Sequence, residues 1–277
     1  VKIKENLSAA RKLGAKFVDF TGGEPLLFHD LPDALREAKK LGFITSVTTN
    51  GLLLKKRAEE LKGLIDLPRL SIDGSETVHN SIRGVDCYKA AVEGLAEAVK
   101  VGLRYDIIFT LTKENGSEIE HVYSLARQNK AILILDPSFK YFGNDDAREQ
   151  DELLRKWSWR RGVYVNTAFL SLREAGGNST EKPVCKAGDA VIVISPDNKL
   201  LLPCFHASQE EIEISGRLEK VWKDIGVMKS RKMAGRYGAC EGCSINCYMD
   251  PSFCYQVNGY FFRSMIAKAK YSFEKYL

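Results

Sequence analysis

The chain has 277 residues, 44% of them apolar, which is enough to bury one large core or one large and one small. Charged residues make up 28% and the formal net charge is only +5, with no long Lys/Arg tract and no basic helix interleaved with aromatics, which argues against a nucleic-acid partner. No apolar run approaches the roughly 20 residues of a bilayer span, and no charged segment followed by an apolar stretch opens the chain, so neither a membrane partner nor an export signal is expected.

The first half repeats a strand–helix rhythm. Ile3 to Leu13 carries apolar residues at helical spacing, and Phe17 to Phe20 is a short apolar strand running into Thr21-Gly22-Gly23-Glu24-Pro25. Leu31 to Leu41 is predicted as a helix, with Asp30 before it, Pro32 in its first turn and Gly42 after it. Strand Ile44–Thr48, helix Leu53–Leu61, strand Arg69–Ile72, helix Tyr88–Val101, strand Tyr105–Leu111, helix Glu118–Asn129 and strand Ile132–Leu135 follow. Strands alternating with helices predict a parallel sheet with crossover helices. Five such units suit a doubly wound sheet or a partial barrel, and periodicity does not separate the two. Thr49-Asn50, Ser71 with Asp73, and Thr110 with Thr112 all fall at carboxyl ends of strands, the rim where parallel α/β folds place their sites.

After Ser138 the rhythm breaks. A turn is expected at Gly143-Asn144-Asp145-Asp146, a charged helix over Arg148–Arg161 and a linker at Gly176-Gly177-Asn178-Ser179. A β-hairpin over Ala190–Pro203 turns at Pro196-Asp197-Asn198, and helices over Leu218–Met233 and Phe261–Tyr276 complete the reading. Domains are accordingly expected at 1–175 and 176–277.

Two glycines after a buried strand let a ligand approach the main chain closely, and Glu24 beside them offers an acceptor to an ammonium group. Thr21-Gly22-Gly23-Glu24-Pro25-Leu26-Leu27 resembles the turn with which the radical S-adenosylmethionine superfamily binds the methionine amino group. Thr48-Thr49-Asn50-Gly51, Leu70-Ser71-Ile72-Asp73-Gly74 and His79-Asn80-Ser81-Ile82-Arg83-Gly84 are similar, in order, to the ends of that family's third and fourth strands and to the turn after them. The resemblance implies a partial (β/α)6 TIM-like barrel followed by a small α+β iron–sulfur domain of the SPASM or twitch type. It implies cofactor contacts from Gly22, Gly23, Glu24, Asn50, Ser71, Asp73, Arg83 and Thr110. The implied activity is reductive cleavage of S-adenosylmethionine to a 5′-deoxyadenosyl radical that takes hydrogen from a substrate. A peptide or protein substrate is the first expectation. A small-molecule dehydrogenase, a carbon–carbon bond former and a non-catalytic iron–sulfur or zinc protein are the alternatives. An electron donor such as ferredoxin or flavodoxin and a cytoplasmic setting are implied as well.

The superfamily's catalytic [4Fe–4S] cluster is held by CxxxCxxC ahead of the glycine turn. No such motif occurs in these residues, and no cysteine precedes Cys87. With Val1 opening in mid-helix, the expectation is a chain cut just after that motif, and the catalytic ligands stay unassigned.

Six of the seven cysteines lie in the last third: Cys185, Cys204, Cys240, Cys243, Cys247 and Cys254. Clustered thiols with no export signal point to a metal before disulfides, and four soft ligands suit zinc or an iron–sulfur cluster. The order Cys, hairpin, Pro203-Cys204, helix, CxxC resembles the twitch domain, which implies one auxiliary [4Fe–4S] cluster, with two as the alternative. By that resemblance its ligands are Cys185, Cys204, Cys240 and Cys243, with Cys247 able to displace one of them.

Overall fold

The computed structural model describes residues 2–139 and 147–276. In chain order the elements are α1 (Lys2–Lys12), β1 (Phe17–Phe20), α2 (Leu31–Lys40), β2 (Ile44–Thr49), α3 (Leu54–Leu61), β3 (Leu67–Ser71), α4 (Glu76–Arg83), α5 (Tyr88–Lys100), β4 (Asp106–Leu111), α6 (Ile119–Gln128), β5 (Leu133–Pro137) and α7 (Ala147–Trp157). They continue with β6 (Val163–Tyr164), α8 (Thr167–Glu174), α9 (Ala187–Ala190), β7 (Val193–Ile194), β8 (Lys199–Leu202), β9 (Glu210–Glu213), α10 (Leu218–Trp222), α11 (Ile225–Lys232), α12 (Asn246–Ser252) and α13 (Gly259–Tyr276).

Strands β1 to β6 form one parallel sheet whose spatial order is the chain order. Because parallel crossovers are right-handed, stepping always to the next neighbour carries every crossover to the same face of the sheet. A doubly wound sheet would instead reverse direction at a switch point. This order is that of a partial barrel, and it settles what periodicity leaves open. Alternation along the strands fits: Ile107, Phe109 and Leu111 are fully buried toward the helices, whereas Ile108 and Thr110, on the other face, are less so. Leu35, Val47, Leu54, Leu61, Leu70 and Leu95 belong to the same buried set.

Several elements depart from expectation. The stretch carrying His79 and Arg83 is a helix, α4, rather than a turn; it ends at Gly84 in the left-handed region, φ 68°. The two-residue β6 is too short to leave a periodic signal. The helix expected over 218–233 is broken by Asp224, whose carboxylate accepts from the Gly226 and Val227 N–H groups and caps α11. The hairpin gains a third antiparallel strand, β9. The turn expected at 143–146 lies outside the described residues.

Packing divides the chain into two units. One comprises 15–138, 149–165 and 270–276; the other comprises 2–14 and 166–269, with Phe139. The expected boundary between 175 and 176 therefore does not follow the packing. Two helices account for this: Ala168, Phe169 and Leu172 of α8 pack with Ala187, Ile245 and Met249, and Ala9, Ala10 and Leu13 of α1 join an apolar cluster with Leu200, Leu202, Ile214, Leu218 and Trp222. The buried Asn6 amide also donates to Asn198 Oδ1 at 2.7 Å. Within the sheet unit, Asp106 at the start of β4 accepts from Tyr271 Oη and Lys275 Nζ of the terminal helix, and the Lys275–Asp106 pair is almost fully buried.

Candidate functional site

The glycine turn follows β1 at the carboxyl rim of the sheet. Gly22 takes φ 113°, a conformation that side-chain-bearing residues rarely adopt. A Cβ added to Gly22 or Gly23 would meet nothing within 4 Å, and both residues are exposed. The bend therefore opens outward with no side chain packed over it. Glu24 is anchored beside it. Its Oε1 accepts from Leu26 N at 2.9 Å and Thr49 Oγ1 at 2.6 Å, and its Oε2 accepts from Asn50 N at 2.8 Å. A carboxylate has roughly four lone-pair directions, so these three bonds fix the group and leave Oε2 capacity for one more donor. Arg57 of α3 secures the segment beyond, donating to the carbonyls of Leu26, Phe28 and His29. The sequence signals nothing of this role, since Arg57 sits in an ordinary charged helix.

A second group stands at the ends of β3 and β4. The register pairs Thr49 with Leu70 and Ser71 with Ile108, so Asn50, Ser71 and Thr110 follow one another along the rim. Asp73 is buried; Arg83 Nε donates to its Oδ2 at 2.6 Å, and its own N–H donates to His79 Nδ1 at 3.0 Å. Accepting at Nδ1 puts the ring proton of neutral His79 on Nε2. Burial pushes the His79 pKa down, Asp73 opposes this and Arg83 adds to it. Fully buried Asn115 ties the loops together, donating to the Asp73 and Thr110 carbonyls and accepting from Thr112 N. Thus Gly22, Gly23, Glu24 and Asn50 form one group, and Asp73, Arg83 and the end of β4 are linked in another. Asn115 escapes sequence reading because its turn resembles any other polar turn.

In the other unit, Cys185, Cys204, Cys240 and Cys243 line one cavity, walled by apolar groups such as Pro203, Ile245 and Met249. Cys247 and Cys254 are exposed and do not line it. Burial pushes the Cys185 thiol up to about 12, and neighbouring Cys243, Cys204 and Cys240 add to the rise. Burial likewise raises Cys204 and Cys243. Such thiols stay protonated in an apolar hole unless a cationic centre binds there. The Ala207 N–H already points at Cys204 Sγ, 3.4 Å away. Among the described residues no three or more His, Cys, Asp or Glu side chains are gathered as for one bound ion.

The supposed linker at 176–179 is inside this unit. Asn178 is 1% exposed, and its side chain and main chain bond to the loops bearing Cys185, Cys240 and Cys243. Gly177, at φ 86°, lies so close that an added Cβ would stand 2.4 Å from the Gly242 carbonyl oxygen. A Gly-Gly pair reads as flexibility in sequence; here it permits a close crossing of two main chains.

Among the described residues no helix is long and apolar enough to cross a membrane. Comparison with known proteins agrees with the geometry. The profile of the Radical SAM superfamily matches residues 1–126. A protein named Probable GTP 3′,8-cyclase from Sulfurisphaera tokodaii is 30% identical over 235 residues, 76% of this chain and 74% of its own length. Its namesake from Saccharolobus solfataricus is 35% identical over 226 residues, 74% and 72% of the two chains. Among solved structures, Streptococcus suis SuiB bound to S-adenosylmethionine superposes with TM-score 0.67 at 20% identity, over 93% of this chain and 66% of that one, just under two thirds. Native anSMEcpe with bound AdoMet gives TM-score 0.61 at 16% identity, covering 98% and 86%. The chain belongs to the radical SAM superfamily, whose members use S-adenosylmethionine and a [4Fe–4S] cluster.

Proposed function

We propose that this chain positions S-adenosylmethionine on the sheet rim for hydrogen abstraction from a peptide or protein substrate, with one auxiliary [4Fe–4S] cluster held by Cys185, Cys204, Cys240 and Cys243. The carrying observation is the open main chain at Gly22 and Gly23 beside a carboxylate held by three donors and able to accept a fourth. The cofactor supplies a carbon radical when reductively cleaved; the chain's part is binding, orientation and exclusion of water. Glu24 takes the methionine ammonium, and Asn50, Ser71, Asp73, Arg83 and Thr110 line the remainder of the cofactor's path. Arg83 offers a cation to the methionine carboxylate or hydrogen bonds to the ribose, with Asp73 holding its Nε. These residues contain no CxxxCxxC, and the roles above are those of the cofactor-binding rim alone.

For the cysteine cavity, an iron–sulfur cluster is favoured over zinc. A single zinc at about 2.3 Å from each sulfur draws four thiolates close together, whereas the cube of a [4Fe–4S] cluster holds them farther apart. Membership of a superfamily whose chemistry runs on [4Fe–4S] clusters favours the larger group for the four thiols that line this cavity.

Two observations bear on substrate. SuiB is also known bound to precursor peptide SuiA, and anSMEcpe with a Kp18Cys peptide, and both likenesses extend over nearly this whole chain. The relatives named Probable GTP 3′,8-cyclase favour a second reading, a nucleotide substrate. Thr48, Arg69, Ser71, Thr110 and Asp136 share one face of β2 to β5, setting hydroxyls beside one cation and one carboxylate. The test is anaerobic turnover of the protein as its gene encodes it, with reduced ferredoxin or flavodoxin. It is offered peptides encoded beside the gene and, separately, GTP. A peptide mass change coupled to 5′-deoxyadenosine is expected; a cyclised GTP product would replace this reading with the second.

A further inference from the structure

We propose that Asn178 is the positioning residue of the cysteine cavity, setting the mutual placement of Cys185, Cys240 and Cys243 for cluster uptake; this rests on the reading of that cavity as a cluster site. Asn178 spends every polar group it has on the cavity's loops. Its Nδ2 donates to the Gly235 carbonyl at 2.9 Å and the Cys240 carbonyl at 3.1 Å, and its Oδ1 accepts from Cys185 N at 3.0 Å. Its own N–H donates to the Cys243 carbonyl at 2.9 Å, and its carbonyl accepts from Gly242 N at 2.8 Å. Three cavity cysteines thus have their main chains bonded to one residue, although Cys185 and Cys243 belong to segments far apart in sequence.

The amide is the group this geometry selects. Two carbonyls on one side demand two donors, and one N–H on the other demands an acceptor, so the amide orientation is unambiguous. Aspartate keeps the acceptor but turns a carboxylate oxygen toward two carbonyl oxygens. Glutamine carries the same groups one methylene farther out, beside a crossing where Gly177 leaves no room for even a Cβ. The Asn178 atoms lie behind the cysteines and do not line the cavity itself. Their effect on a bound group passes through the placement of the thiols, as for the partners that orient metal ligands generally.

The test is anaerobic reconstitution of the whole protein with ferrous iron and sulfide. It compares wild type, Asn178→Ala, Asn178→Asp and Leu218→Ala, the last a buried residue of the other apolar cluster in the same unit. Iron and sulfide per chain, the rate of iron extraction by a chelator and the electron paramagnetic resonance of the reduced auxiliary cluster are read beside the melting temperature. Both Asn178 variants are expected to release iron at least about tenfold faster, with a shifted or broadened resonance. Leu218→Ala is expected to melt lower yet keep the wild-type rate and resonance. Should Asn178→Ala not fold, Asn178→Ser, with one donor and one acceptor, carries the comparison. Wild-type extraction in the Asn178 variants, or equally fast loss from Leu218→Ala, overturns the proposal. Failure of the wild type to take up any cluster at the four cysteines would instead overturn the reading beneath it.

Discussion

Gly23→Ala separates ligand binding from folding at the rim. Gly23 does not lie in the positive-φ region, and its added Cβ would meet nothing within 4 Å. The folded state therefore accepts alanine without strain, while the unfolded chain loses freedom, worth about 0.4–1 kcal/mol in favour of folding. For a domain of this size that is a rise in melting temperature of roughly 1–4 °C. The same methyl group stands where S-adenosylmethionine is to approach the main chain. Forfeiting one hydrogen bond to the charged ligand costs about 1.5–3 kcal/mol, or a 10- to 150-fold weaker Kd. The assay is anaerobic equilibrium dialysis with labelled S-adenosylmethionine, alongside thermal melts of both proteins. Gly22→Ala is the contrast, since at φ 113° alanine is strained and stability itself should fall by about 1 kcal/mol or more. Unchanged affinity in Gly23→Ala would refute the cradle, and a melting temperature lowered by several degrees would refute the openness of the turn.

Serine at Cys185, Cys204, Cys240 or Cys243 should each lower the iron and sulfide content after reconstitution, whereas Cys247→Ser and Cys254→Ser should leave it unchanged; loss of iron from Cys247→Ser would move that residue into the ligand set. Lys275→Met leaves Asp106 buried without its cation and should cost about 3–5 kcal/mol in urea unfolding, partly restored by adding Asp106→Asn; a loss under about 1 kcal/mol would show the pair to be dispensable. His79 is held neutral by burial, with a folded pKa below the ordinary 6.5. Its contribution is fully present above pH 6.5 and declines as the pH falls below that value toward the folded pKa, because the unfolded chain takes up the proton first. Urea midpoints between pH 7.5 and 5.5 should therefore fall less steeply in His79→Gln than in the wild type. Burial lowers His206 in the same direction, so part of the slope remains. Identical slopes would dismiss the contribution of His79.

What was legible in the sequence is what repeats or punctuates. The first five strands and the helices between them, α4 excepted, follow from apolar period and Gly stops. The rim turn was visible because Gly22-Gly23-Glu24-Pro25 follows a strand. Cys240 and Cys243 announce themselves by spacing, but the separation of Cys247 from the cavity does not. Cys247, the second residue of α12, is exposed and does not line the cavity. The placement of α1 was equally hidden, because an amphipathic helix states that it has a buried face without saying which partner covers it. Asn178 was misread for a related reason. Polar residues after glycines mark loops in general, and only the folded chain shows that Asn178 sits at 1% exposure among carbonyls needing donors.

The docking of α1 also bears on how the protein is made. Lys12 pairs with Glu219, 207 residues later in the sequence. A ribosome adding about 5–20 residues per second completes α1 roughly 10–40 s before the segment that will cover it emerges. Through that interval the apolar stripe of Ala9, Ala10 and Leu13 stays bare and available to chaperones. All six strands of the parallel sheet have been synthesised before that segment emerges. The thiol cavity becomes whole only after Cys243 has been synthesised, so on the proposed reading a cluster enters it after the segments from 185 to 243 have emerged.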